Sequence, residues 1–450
     1  MHAVLVAALL GCAASEAERP DIVLISVDTL RADRIGSYGA GRDTSPHIDQ
    51  FAAEGARFSN VLAPTSWTLP SHVSLLTGMD ILVHRVIEPS DRIDPHRRTL
   101  GQELAARGYH TAGFVSAPYL HAAYGFDRGF GRYENFGVPD VVELPPSTSI
   151  HDASHADETA PVVIDAAIAW LQGPGAADGR PIFLFVHLWD PHYDYVPPAP
   201  YDRIFDTTYR GKLDVRSYEK RIEINAAMPV RDLQHLRALY DGEVRWTDSQ
   251  IARLTEALRS RGRLDRTVLS IVSDHGEEFF EHGRRGHKRT LFEESVRVPW
   301  ILRYPPAVSP GTVIASTVSL ADVAPTLLDL AGFPSLAEAT GRSLAPELSG
   351  SERPDRPVLL HVNQLFALRG AGWKVVAGGG QPLFYDLRRD PGEMAPQPAE
   401  DAAPKRLAEL HRRIAAERSA AAALVWDRPR DVKLDDATRA RLRELGYLDE

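Results

Sequence analysis

Three short apolar runs, each stopping on a residue that can bind a metal or move a proton, constrain this chain more than any other feature. They are DIVLISVD (Asp21–Asp28), PIFLFVH (Pro181–His187) and TVLSIVSD (Thr267–Asp274). Continuous apolar runs of this length fit strands buried on both faces. Helical patterns lie between them, at Ser45–Gly55, Leu100–Gly108, Thr159–Leu171 and Val244–Arg259. The alternation predicts an α/β fold with a mostly parallel central sheet flanked by helices. In open sheets of this kind ligands bind at the carboxyl ends of the strands. Asp28, His187 and Asp274 are therefore expected at one edge, however far apart in sequence. A carboxylate there can simply cap the following turn. Two on one sheet, with His275 directly after the second, point to a metal site instead. Asp, Asp and His offer hard oxygens plus an imidazole, a set that suits Mn²⁺, Zn²⁺ or Ca²⁺.

The rest of the chain divides around this sheet. Near Leu348–Pro357 the texture changes to Gly, Ser, Pro and charge, as in a linker. Short strand patterns follow at Val358–Val362, Phe366–Arg369, Trp373–Ala377 and Leu383–Asp386, then helices at Pro404–Ala423 and Asp435–Leu445. That is the pattern of a small C-terminal α+β domain. Pro139–Ala160 and Tyr193–Pro229 read as long loops over the strand ends. At the start, the short apolar run Ala3–Leu10 leads into Leu9-Leu10-Gly11-Cys12, which resembles the lipobox of bacterial lipoproteins. The expected division is a signal segment (1–19), a catalytic domain (20–350) and the small domain (351–450). Lipidation at Cys12 would make the protein an exported, membrane-anchored lipoprotein, touching the membrane only through that lipid. No apolar run approaches the roughly 20 residues of a spanning helix. Cys12 is also the one cysteine, which excludes an internal disulfide, a Cys-based zinc site and a downstream Cys nucleophile. A net charge of −10 argues against a nucleic-acid partner.

Thr68-Leu69-Pro70-Ser71-His72, running on to Leu75-Leu76-Thr77-Gly78, reads as a helix with Pro70 in its first turn and Gly78 at its stop. Thr68 then lies at the helix N-terminus, where free backbone N–H groups favour an anion. This segment resembles the nucleophile motif of the sulfatases. Four other segments resemble sulfatase motifs in the same order: Val27–Arg31, His187–His192, Ser273–Glu277 with Lys288–Pro299, and Leu383–Pro391. The chain is thus similar to the sulfatase branch of the alkaline-phosphatase superfamily. The resemblance implies that fold and the cleavage of sulfate or phosphate esters on small-molecule, glycan or lipid substrates.

Departures from the motif sharpen the expectation. Formylglycine is made from Cys or Ser, and Thr68 stands there, so none is expected. His72 replaces the Arg that closes the motif, Thr29 the second Asp of the metal pair, and His275 the Asn. The pocket Lys and His after Gly108-Tyr109 are missing. A Thr nucleophile with an Asp…Asp-His set is similar to the phospho branch of the superfamily. One divalent metal, Mn²⁺ or Zn²⁺ rather than Ca²⁺, is expected on Asp28, Thr68, Asp274 and His275. Thr68 would attack as a metal-activated hydroxyl. The resemblance gives Lys288 the role of anion-binding Lys, with His192 or His187 protonating the leaving oxygen. Arg31, His72 and His287 are candidates for substrate contact, although Arg31 could equally pair with Asp33. Glu277 and Glu278 could support the metal ligands but read rather as acids at a helix start, and Asp190 as a loop-shaping residue rather than a metal ligand. The alternatives are a phosphoryl-group transferase of the same fold and a degenerate lipoprotein that binds anions or glycans.

Overall fold

The computed structural model describes residues 19–136 and 159–427, apart from 174, 175 and 177, with isolated positions between 434 and 443. The lipobox with Cys12, most of the Pro139–Ala160 loop and most of the Asp435–Leu445 helix lie outside the described residues.

The three apolar runs form β1 (Asp21–Val27), β5 (Ile182–Leu188) and β6 (Thr267–Ser273). With β2 (Ala56–Leu62), β3 (His110–Val115), β4 (Arg132–Asn135), β9 (Arg297–Val298), β10 (Trp300–Arg303) and β11 (Thr312–Ser319) they build a nine-stranded sheet in the order β11-β2-β10-β6-β1-β5-β3-β4, β9 pairing with β2. β1 runs parallel to β5 and β6, and only β9 and β10 run against their neighbours. The run in β1 is apolar throughout because both faces are covered. Ile22 and Leu24 enter one core cluster and Val23, Ile25 and Val27 the other, all fully buried. Each such side chain contributes about 1.5–3 kcal/mol.

Helices α1 (Pro46–Glu54), α2 (Thr68–Thr77), α3 (Thr159–Gln172), α4 (Val230–Ser260) and α5 (Val323–Leu330) pack around the sheet. α4 begins fourteen residues before the apolar periodicity starts at Val244, directly after Pro229. Its first turns carry mostly polar residues, which hid them from a pattern search.

The small domain is an antiparallel meander, β12 (Val358–Val362), β13 (Leu365–Gly370), β14 (Trp373–Ala377), β15 (Leu383–Tyr385) and β16 (Gln397–Pro398). α6 (Pro404–Ala423) closes it, sharing a core of Leu359, Leu368, Val375 and Leu410 with Ile81 and Leu82 of the large domain.

Candidate active site

Strand register assembles the site. Val27 pairs with Ser273 and Ser26 with His187, so the next residues along, Asp28 and Asp274, emerge side by side with His187 beside them. The chain leaves β6 through Gly276, which has no room for a side chain: a Cβ there would lie 2.0 Å from the Glu294 carbonyl. The close approach is fastened by Gly276 N–H to Ser295 O and Glu277 N–H to Glu294 O, at 2.8 and 3.0 Å. It turns His275 back over the strand ends.

α2 supplies the fourth component. All ten of its residues are buried, and Gly78 ends it in the left-handed region, donating to Ser74 O. Thr68, its first residue, places Oγ1 3.4 Å from both Asp28 Oδ2 and His275 Nε2. His275 Nδ1 lies 2.9 Å from Gly276 O. A carbonyl only accepts, so Nδ1 carries the proton and Nε2 presents its lone pair. That nitrogen faces Asp28 Oδ1 at 3.6 Å and Asp274 Oδ2 at 3.5 Å. Ligand atoms of Asp28, Asp274 and His275 lie within 4.8 Å of one another.

Burial and neighbouring charge act on each group of this arrangement. Burial pushes the Asp28 carboxyl up to about 7 and raises Asp274, which also faces Asp28. Burial opposes protonation of His275, but Asp274 and Asp28 outweigh it and hold the imidazole above its ordinary value. Asp28 Oδ1, Asp274 Oδ2 and Thr29 Oγ1 are buried without a hydrogen-bond partner among the described residues. The orphaned oxygens of Asp28 and Asp274, close to each other and to an imidazole lone pair, fit a divalent ion.

The other predicted residues fall into three groups. Lys288 has its Nζ 4.4 Å from the centroid of the ring of Trp67, the residue before Thr68. Its N–H donates to Ser66 O at 2.7 Å, and its carbonyl accepts from Asn363 in the small domain at 3.0 Å. His287 and His192 line the same side. The His287 ring lies 4.5 Å from that of His275 and 5.1 Å from that of His192, which stacks on Trp189. His187 and His72 lie deeper, both fully enclosed, and burial brings both imidazoles down to about 4. His187 Nε2 is 3.4 Å from Asp28 Oδ2. His72 has Nδ1 2.9 Å from Thr68 O and Nε2 3.0 Å from Ser26 Oγ.

Arg31 is engaged elsewhere. It forms a two-pronged ion pair with Asp33, a second with Glu281, and donates to Glu277 O. Its guanidinium is thus held by carboxylates, the pairing that competed with a substrate contact. Asp190 shapes its loop, accepting from the Thr159 hydroxyl and Ala160 N–H.

The helix-start reading of Glu277 and Glu278 does not hold. No helix begins there: Glu278 opens β7 (Glu278–Phe279), which pairs with β8 (Arg285–Gly286). Glu277 is fully buried between the Tyr195 hydroxyl at 3.0 Å and His287 Nδ1 at 3.2 Å, and burial pushes its carboxyl up to about 8. Its partners lie about eighty residues upstream and ten downstream, so adjacency in sequence carried no signal.

The Sulfatase family profile matches residues 20–333, which is the whole nine-stranded sheet and every residue of the cluster. The chain belongs to the sulfatase family. A second profile, N-sulphoglucosamine sulphohydrolase, C-terminal, matches residues 281–420. Arylsulfatase K of Rattus norvegicus is 25% identical over 428 residues, covering 84% of this chain and 74% of the relative. Among solved structures, a protein in complex with its substrate D-glucosamine-2-N,6-O-disulfate superposes with a TM-score of 0.73 at 21% identity, over 90% of this chain and 98% of the other. The phosphonate monoester hydrolase of Agrobacterium radiobacter gives 0.69 at 24% identity, over 90% and 96%. The sulfatase fold, with its C-terminal antiparallel domain, thus accounts for both parts of the chain.

Proposed function

We propose that this sulfatase-family hydrolase is metal-dependent and uses Thr68 as its nucleophile on a sulfate or phosphate ester. The observation that carries the reading is Thr68 Oγ1, buried at a helix N-terminus and 3.4 Å from both Asp28 and His275. Asp28, Asp274, His275 and Thr68 would hold the ion, and the imidazole favours Mn²⁺ or Zn²⁺ over Ca²⁺. When bound, such an ion lowers the pKa of a coordinated hydroxyl and offsets the two carboxylates that would otherwise repel an anionic ester. No formylglycine is involved.

The remaining chemistry belongs to the chain. Thr68 Oγ1 forms a bond to phosphorus or sulfur, its proton passes to Asp28, and the bond to the leaving alcohol oxygen breaks. His192 supplies the proton that the leaving oxygen takes up. Lys288 sets a positive charge against the non-bridging oxygens as they gain charge. Water then bonds to phosphorus or sulfur and gives a proton back to His192, while the Thr68 oxygen leaves and takes its proton back from Asp28. Relatives and fold neighbours are named for sulfate and for phosphonate monoesters, so the fold does not choose between them. A threonyl alkoxide beside an Asp…Asp-His set favours phosphate, with a sugar sulfate or phosphate as the substrate class. The lipobox at Cys12 supports export and a lipid anchor.

The test is an assay of residues 13–450, stripped of metal and refilled with Mn²⁺, Zn²⁺ or Ca²⁺, on aryl sulfate, aryl phosphate and aryl phosphodiester. Metal-dependent turnover that disappears in Thr68→Ala is expected. Turnover surviving Thr68→Ala overturns the nucleophile. Absence of both turnover and bound metal favours the anion-binding lipoprotein.

A further inference from the structure

Asp274 belongs to two groups of ligands. One is the set with Asp28 and His275. In the other, ligand atoms of Asp274, His72 and His187 also lie within 4.8 Å of one another. All three side chains of this second group are fully enclosed. His72 Nδ1 is 3.6 Å from Asp274 Oδ2, and the two imidazole rings lie 5.0 Å apart. Among the described residues neither ring nitrogen of His187 has a hydrogen-bond partner, Nε2 standing 3.4 Å from Asp28 Oδ2 without forming one, and Asp274 Oδ2 has none either. A buried imidazole left unsatisfied at both nitrogens is a cost that folded proteins rarely carry. An ion on Asp28, Asp274 and His275 does not relieve it, because His187 is not part of that set.

We infer that a second divalent transition-metal ion binds between His72, His187 and Asp274, with Asp274 shared between the two ions. The inference rests on the metal-dependent reading above and extends it. Two imidazole nitrogens and one carboxylate oxygen form a donor set suited to Zn²⁺ or Mn²⁺. A proton between His72 Nδ1 and Thr68 O accounts for that contact in the metal-free protein, but it leaves His187 and Asp274 Oδ2 unsatisfied. With metal bound, His72 carries its proton on Nε2, where Ser26 Oγ accepts it at 3.0 Å, and turns the Nδ1 lone pair to the ion. Two dications against Asp28 and Asp274 leave the site net positive. A doubly charged phosphate monoester meets that charge better than a singly charged sulfate ester. The second site thus points to phosphate monoesters as the preferred substrates.

The experiment counts ions. The purified chain is stripped with chelator and titrated with Zn²⁺ or Co²⁺, and metal per chain is measured by mass spectrometry after desalting. Two ions per chain are expected in the wild type and one in His187→Gln, which keeps much of the side-chain volume. With Co²⁺, two sets of visible absorption bands are expected, of which His187→Gln loses one. A single ion in the saturated wild type, or two retained by His187→Gln, overturns the second site and leaves the first intact. No bound ion in the wild type overturns both. Should His187→Gln fail to fold, the wild-type stoichiometry and the Co²⁺ titration decide the matter alone.

Discussion

Two buried clusters of charge in this molecule have opposite characters. At the strand ends, Asp28 and Asp274 face each other with unsatisfied oxygens, and among the described residues no Lys or Arg is paired with either. At the seam with the small domain, Lys374 is just as deeply buried but ion-paired with two carboxylates. Its ammonium holds Glu293 at 3.0 Å and Glu393 at 2.8 Å and donates to Leu291 O at 2.8 Å. Glu393 accepts from Glu293 N–H, and Arg369 adds a second cation to Glu293. Burial opposes the charge on Lys374, but the two carboxylates win and raise its pKa. His282, Glu294 and Glu393 at the same seam also have metal-ligand spacing, yet Lys374 already supplies the positive charge there. A buried network that closes on its own chain holds structure. One built of two facing carboxylates and an imidazole has the donor set for a cation.

Four measurements would break or sharpen this contrast. Replacing the nucleophile should have the largest effect: Thr68→Ala lowers kcat on the best ester by roughly 10³-fold or more while the thermal midpoint holds. Denaturant melts that show a large loss of stability in this variant would mean that Thr68 is structural.

At the seam, Lys374→Met takes the cation from buried Glu393 and leaves Glu293 with Arg369 alone, and should cost about 3–5 kcal/mol. Urea unfolding measures it, and a cost below ~1 kcal/mol would mean that the seam is not the closed network described.

Adding Mn²⁺ or Zn²⁺ at a hundred times its Kd should stabilise the wild type by about 2.7 kcal/mol through linkage. Asp274→Asn, which removes one of the two facing charges, should lose this response yet melt no lower than the metal-free wild type. A metal-induced rise of equal size in Asp274→Asn would place the ion elsewhere.

The smallest effect concerns a buried histidine outside both clusters. His84 sits between Ser74 Oγ and Val86 N–H, and burial brings it down to about 3. The unfolded chain takes up that proton below about 6.5 and the folded chain does not. Stability should therefore fall as pH drops from about 6.5 toward 3. His84→Gln should flatten the Tm profile between pH 7 and 5, and an unchanged profile would remove His84 from the account.

The sequence made the framework readable where burial was symmetrical. β1, β5 and β6 are apolar on both faces, so each shows as an unbroken run, and the shared strand-end edge placed Asp28, Asp274 and His275 together. The five motifs supplied Thr68 and Lys288, which no periodicity would have singled out. What stayed hidden depends on contacts between distant segments. Arg31 looked available because Glu281 is 250 residues away, and Glu277 looked like a capping acid because Tyr195 and His287 come from other loops. The polar opening of α4 packs by position rather than by pattern.

One further consequence concerns modularity. The small domain follows the large one in the chain, but its β12–β13 hairpin donates from Asn363 to Lys288 O, and His361 N–H donates to Pro64 O just ahead of the nucleophile helix. Lys374 grips the segment immediately after Lys288. The segment joining the two domains is therefore a poor place to cut. A gene fragment ending near residue 350 would keep the whole sheet and every candidate metal ligand, yet lose the fastenings of Lys288. The two halves have to be inherited, expressed and engineered as one enzyme.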